Sequence, residues 1–430
     1  MSARSKKKFH FGYVVVAAMV LTSFIPLSLG LSCAGIFYPS LSESLGVEKG
    51  MLSYYTTFIW IAALVFLPLL GKLLNRVDAR ICVTGAVVLT VVTFVWLSFV
   101  QSLWQFYVAA CVMGVSIAML LFLAPSTLIN RWFAKGAGPM LGVAMAFTGV
   151  GGVVWSSVGG VLISSIGWSA TYLVFAALSA CTLPVALFMV RSRPSDLDLE
   201  SVGADKLSAA DSIQAVEEGV PAVKAYKTPS FVLLCALCFF LNIGMYVYFM
   251  IPSYATTLAV GVALPLLGAT ASSVAMAGQT VSKLALGAVG ERFPQTSTII
   301  ALGLGIVGVV LFAVAAESVP CYYVAALAFG CYYGITNVMM PLFTRRCFGN
   351  RDYAPIYAKV SMVASVSNAA AALIWGTVID ATHSYMPMFA GVAVLMALSI
   401  ASVVLLMRQR PQESTASAAG AGQSSHQKAC

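Results

Sequence analysis

Long apolar, charge-free runs alternate along the chain with short basic clusters. A helix needs about 20 apolar residues to cross the hydrocarbon core of a bilayer. Residues 9–42 and 50–71 hold one such helix each. Residues 81–130 hold two, broken near Gln101 and Ser102, and 136–190 hold two, broken between Ser164 and Trp168. Residues 228–282 hold two, broken between Pro252 and Pro265, and 293–316, 318–344, 360–379 and 381–407 hold one each, the third extended backward by a few residues. The pattern predicts twelve spans. The one long polar stretch, 191–228, follows the sixth span, so the chain divides into a first half (1–190), a linker (191–228) and a second half (229–410). The linker is mixed in charge and predicts a short surface helix near Ala209–Glu218. The Ser/Ala/Gly-rich end, 411–430, predicts a disordered tail.

Composition agrees with a lipid environment. The chain is 60% hydrophobic and 9% charged, against about 25% charged in a soluble domain. The N-terminal cluster Arg4, Lys6, Lys7 and Lys8 before an apolar run mimics a signal peptide. The run is too long for a cleaved segment, and it reads as a retained first helix. With the N-terminus placed in the cytoplasm, the inner segments collect Lys72, Arg76, Arg80, Arg131, Lys135, Arg191, Arg193, Arg292, Arg345, Arg346, Arg351, Arg408 and Arg410, and the outer segments only Lys49. That asymmetry sets both the count and the orientation, with both termini cytoplasmic in a cell membrane, and it accounts for the net charge of +9 without nucleic acid. The ten cysteines, Cys235-x-x-Cys238 among them, sit mostly inside apolar runs, without metal-ligand or disulfide spacing.

The two halves share a pattern. The second helix ends in Gly71-Lys-Leu-Leu-Asn75-Arg76 and the eighth in Gly287-Ala-Val-Gly-Glu291-Arg292. The glycines, the arginines, and Pro125 with Pro341 are all 216 positions apart. A parallel six-helix repeat places a substrate site near the midplane between the halves.

Twelve helices, a linker after the sixth and the G-x-x-x-[DN]-R turn resemble the major facilitator superfamily over roughly residues 10–407. That resemblance implies an all-α fold of two six-helix pseudo-repeats working by alternating access. It also implies gating roles for Gly71, Asn75, Arg76, Arg80, Gly287, Glu291 and Arg292. Asn75 stands where that family usually has Asp, and Asp78 where it has Gly. The stretches "NRWFAKGAGPMLG" (130–142) and "GWSATYLVF" (167–175) are similar to the oxalate/formate antiporters and their monocarboxylate-transporter relatives. Those families carry a cation in the eighth helix, four residues before the Gly, and the oxalate/formate group another in the eleventh. The matching residues are Lys283 and, in "YAK", Lys359.

Both lysines sit roughly 12 Å inside the basic residues at their helix ends, at 1.5 Å per residue, so snorkelling to the interface is the competing reading. An ionised lysine within a span costs about 2.5–3.5 kcal/mol, and an exchangeable anion would supply the missing countercharge. Gln279, one turn above Lys283, is neutral. Asn242, Tyr246, Tyr248, Tyr332, Tyr333 and Asn337 are further candidates for the cavity lining, Tyr332 first among them because relatives carry aromatics there. The helix-five glycines (Gly149, Gly151, Gly152, Gly159, Gly160) suit close packing. No Asp or Glu falls in the middle of a predicted span, and His10, His383 and His426 fall at ends or in loops, which argues against a dedicated proton relay.

The expectation is a secondary carrier, acting as a monomer without a cofactor, for a small mono- or dicarboxylate. Exchange is expected because two cations around an empty site disfavour reorientation. The alternatives are proton-coupled symport and transport of a larger amphipathic acid or drug. An enzyme or ATP-driven pump would need a catalytic motif or soluble domain, and no HExxH or Walker motif is present.

Overall fold

A computed structural model describes residues 10–47, 49–203, 219–264 and 267–426. Its helices cross and recross one layer. In chain order they are α1 (Gly12–Leu45), α2 (Lys49–Arg76), α3 (Ala79–Ser98), α4 (Leu103–Trp132), α5 (137–166) and α6 (168–189). After the linker come α7 (Pro229–Ala255), α8 (Leu267–Gly290), α9 (Pro294–Val314), α10 (Val319–Phe348), α11 (Tyr353–Thr382) and α12, whose spanning part is Met386–Arg408. These are the twelve predicted spans. Many large apolar side chains are exposed, with Val314 at 81% and Leu373 at 69%. In water such faces would be untenable; in lipid they are the outer surface.

The breaks fall where the sequence predicts them. Ser98 ends α3 and Leu103 begins α4. Helices α5 and α6 separate at Gly167, whose φ of 82° an L side chain avoids. Trp168 Nε1 then donates to Ser44 Oγ, and Ser169 Oγ to the Ser98 carbonyl, fixing the corner. Helix α7 starts with Pro229 behind Thr228, whose hydroxyl accepts from Phe231 N, a side-chain cap. After Ala255 a short helix, Ala259–Ala263, leads towards α8.

The 216-residue repeat is structural. Helix α4 winds as a π-helix over Ala118–Leu123, and α10 breaks at Gly334, which is 118 plus 216. The linker's described ends dock at matching places. Val202 bridges Phe133, and Gly219 bridges Gly349, again 216 residues apart. The predicted surface helix near Ala209–Glu218 lies outside the described residues. The helical backbone continues to His426, where the composition predicts a disordered tail. Alanine, frequent there, is the strongest helix former.

The halves meet along α5 with α8 and α2 with α11. Because α6 enters the linker and α7 leaves it, one face of the layer is the linker side. The C-terminal ends of α2, α4, α8 and α10 and the first turns of α5 and α11 lie on it.

Candidate functional site

On the linker side the two halves touch without a gap. A Cβ on Gly142 would stand 2.5 Å from the Lys283 carbonyl and 2.8 Å from Gly287 Cα, so only glycine lets α5 and α8 cross there. Gly71 lies equally close to α11, against Ala354 and Ala358. Glu291 accepts from the Gly136 and Gly138 amides at 3.2 and 3.3 Å, a carboxylate on the N-terminus of α5. Arg345 on α10 donates to Asn130 Oδ1 and to the Phe133 and Ala134 carbonyls, each at 3.1 Å. These polar contacts all cross between halves.

The first-half copy of the loop motif is wired differently. Asn75 Oδ1 accepts from Arg131 within its own half, at 2.7 Å. Arg76 is exposed. Arg80 pairs with Asp78 at 2.6 Å, and Asp78 caps α3 through Arg80 N while accepting from Ser192. Partial burial would raise the Asp78 pKa, but the Arg80 and Ser192 hydrogen bonds and the Arg80 charge outweigh it and hold the carboxyl at about 2. Arg292 lies over the Phe293 ring, 5.1 Å from its centroid.

Above this seal lies a cavity of about 140 Å³, bounded by α1, α2, α4 and α5 from one half and by α7, α8, α10 and α11 from the other. It runs from Tyr357 and Met340 to Thr56 and Phe249 on the far side. One water needs about 10–15 Å³ on this measure, so the space suits a small molecule. Helical periodicity sets the lining. Asn242, Met245 and Phe249 share one face of α7; Met276, Gln279 and Lys283 one face of α8; Tyr357, Ser361, Ala364 and Asn368 one face of α11. The first half contributes mainly apolar groups, Leu31, Trp60, Leu121 and Phe122, with Ser32, Thr56 and Thr148. The polarity is therefore concentrated in the second half.

Lys283 is the one basic or acidic residue among those bounding the cavity, and it is 1% exposed. A helical side chain leans toward its helix's N-terminus, which for α8 is the far side, so the ammonium rises into the cavity from the α5–α8 crossing. Its Nζ donates to Gln279 Oε1 and, across the halves, to Thr148 Oγ1, both at 2.7 Å. An ammonium has three donors, and the third meets no acceptor among the described residues. Asn242 Oδ1 accepts from Asn368 at 3.2 Å. Asn337 lines the wall and has no hydrogen-bond partner among the described residues.

Lys283, Gln279, Asn242 and Asn337 thus come together with Tyr248 and Tyr333. Three candidates stand elsewhere. Lys359 is exposed, its Nζ 5.2 Å from the Tyr226 ring centroid. It sits two residues, or about 200°, from Tyr357 on the helix, and Tyr357 takes the cavity face. Tyr332 is buried against α7, donating to the Leu241 carbonyl, and its neighbour Tyr333 lines the cavity instead. Tyr246 is half-buried, packs its ring near Phe249, and is not part of the wall. The sequence reading missed Thr148, Tyr357 and Asn368; each shares a helical face with small or polar residues, and that periodicity was the available signal.

The sequence profile of the Major Facilitator Superfamily matches residues 20–354. The uncharacterized transporter ESBP6 of Saccharomyces cerevisiae is 23% identical over 368 residues, covering 82% of this chain and 52% of its own. The chain thus spans about half the length of that relative. The MFS-type transporter pynF of Aspergillus niger is 25% identical over 339 residues, covering 75% of this chain and 72% of its own. Among solved structures, the proton:xylose symporter XylE bound to 6-bromo-6-deoxy-D-glucose superposes with a TM-score of 0.73 at 12% identity, covering 93% of this chain and 95% of its own. At that identity the likeness is one of fold.

Proposed function

The chain belongs to the major facilitator superfamily of membrane transporters, and from that premise we propose that it carries a small organic monoanion through the central cavity by alternating access. The observation that carries the reading is the Lys283 ammonium, fully buried and, among the described residues, with a free donor and no carboxylate on the cavity wall. Placing an ion in low dielectric without a partner is costly, and a bound carboxylate removes that cost. One ammonium balances one carboxylate, which favours a monocarboxylate over a dicarboxylate. The volume favours a small acid over a sterol-like one. The local likeness of residues 130–142 and 167–175 to oxalate/formate and monocarboxylate carriers supports the same class.

With Lys359 outside the cavity, repulsion between two cations no longer argues for exchange. A single cation gives a weaker form of the argument. The empty cavity closes around a net positive charge and the loaded one around none, so loaded reorientation is favoured. The substrate carboxylate would take the third Lys283 donor and the Asn337 amide. Rocking would then part Gly138 and Gly142 from Gly287 and draw the Glu291 carboxylate off the α5 amides. The basic clusters beside the linker support a cytoplasmic linker in a cell membrane.

The test is uptake of labelled small carboxylates into proteoliposomes, with and without the same acid inside. Uptake of monocarboxylates, faster with internal acid, is expected. Uptake of neutral sugars with no competition from any carboxylate would overturn the proposal.

A further inference from the structure

Lys359 is too exposed to serve the cavity and too deep in its span to be an ordinary surface charge. It heads the outward stripe of α11, in line at seven-residue spacing with Val366 and Leu373, which are 42% and 69% exposed. That stripe faces lipid. Its ammonium lies over Tyr226, on the segment that brings the linker back to the membrane, and the Tyr226 hydroxyl is fixed to the Pro355 carbonyl at 3.2 Å. The same segment carries exposed Lys224 and Lys227 on either side of Tyr226. It also carries Val223, an apolar side chain 72% exposed among the described residues. Lys359 and a short linker segment bearing two exposed lysines and an apolar side chain thus lie together at the linker-side end of α11. Among the described residues none of the three lysines has a carboxylate partner; Asp352, the acid beside them, accepts from the Ala222 amide at 2.9 Å.

We propose that Lys359, Lys224 and Lys227 form a site for the phosphate of an anionic phospholipid at the linker-side membrane interface, with Val223 set among its acyl chains. Intramembrane lysines reach for the headgroup level, and basic groups flanking a span attract anionic lipid. Lipid is the source of the phosphate because Lys359 opens onto the apolar stripe of α11. The site is independent of the cavity, so its fate and that of Lys283 are separate.

Native mass spectrometry of the purified protein, titrated with phosphatidylglycerol or phosphatidylcholine, reads it out. Wild type should hold one phosphatidylglycerol in clear preference to phosphatidylcholine. Each Lys→Gln change should weaken that binding about fivefold, and the triple variant on the order of 100-fold, at about 1 kcal/mol per lysine. Lys359→Arg should retain it. Melting in phosphatidylcholine, unchanged by these exposed substitutions, shows that the variants fold. No preference in wild type, or full preference in the triple variant, overturns the site. Displacement by inorganic phosphate at equal concentration overturns the lipid assignment.

Discussion

Replacing Lys283 with Met keeps the aliphatic stem and removes the charge. Two consequences follow. For the substrate, the lost interaction is a charge-assisted hydrogen bond, about 1.5–3 kcal/mol. The Coulomb attraction of an ion pair at 4 Å and an effective dielectric of 20 sets an upper value of about 4 kcal/mol. Together these correspond to a fall of roughly 10- to 1,000-fold in apparent affinity. For the protein, the change relieves about 2.5–3.5 kcal/mol of intramembrane charge. It strands two acceptors, Gln279 Oε1 and Thr148 Oγ1, at about 1–3 kcal/mol each. The balance runs from about +1.5 to about −3.5 kcal/mol, so the two stability terms largely offset each other and the affinity is the deciding readout. The assay is initial uptake of a labelled monocarboxylate into proteoliposomes, paired with thermal unfolding of the same preparation; Lys283→Arg should retain part of the uptake. If Lys283 merely ties α5 to α8, the Met variant will transport with unchanged affinity. That result refutes the reasoning.

Gly142→Ala places a methyl 2.5 Å from the Lys283 carbonyl, and overpacking of this kind costs about 1–3 kcal/mol. The linker-side seal should fail, so transport falls steeply while the helical circular-dichroism spectrum persists. Glu291→Gln removes a carboxylate from the α5 N-terminus, worth about 0.3–1 kcal/mol, and should shift the population two- to fivefold toward linker-side opening, read by spin-label distances between α5 and α8. Asp78 has its pKa lowered from 3.8 to about 2. A depressed carboxyl stabilises above its unfolded pKa and ceases to do so as pH falls through its folded one. Part of the acid lability between about pH 4 and pH 2 should therefore be missing from Asp78→Asn in pH-dependent melting. Lys359→Ala should leave the transport KM unchanged, and a large rise would return that residue to the substrate path.

The spans were legible because lipid thickness is written directly into the length of charge-free runs, and the breaks at Gln101–Ser102 and Gly167 follow from polar or glycine residues. The repeat was legible from the shared Gly and Arg spacing, and the irregular stretch of α4 at Ala118 has its counterpart at Gly334. Lys283 was legible as a cation deep in a span with no acidic residue within a turn of it. What was not legible is rotation. Whether residue 357 or 359, 332 or 333, faces the cavity depends on how each helix packs, and a family's cation carried onto Lys359 took no account of that phase. The outward stripe Lys359, Val366, Leu373 and the inward stripe Tyr357, Ser361, Ala364, Asn368 carried the information. Contacts between halves, such as Lys283 with Thr148 and Arg345 with Asn130, join residues 135 and 215 positions apart. No local pattern announces them.

Trp60 lies in the cavity wall, so intrinsic fluorescence can follow occupancy. The most direct test titrates the purified protein with a small monocarboxylate and with its neutral amide of the same shape, in wild type and in Lys283→Gln. Saturable quenching by the acid alone, lost in the variant, is what a lone cavity ammonium predicts. Equal binding of acid and amide to the wild type contradicts it.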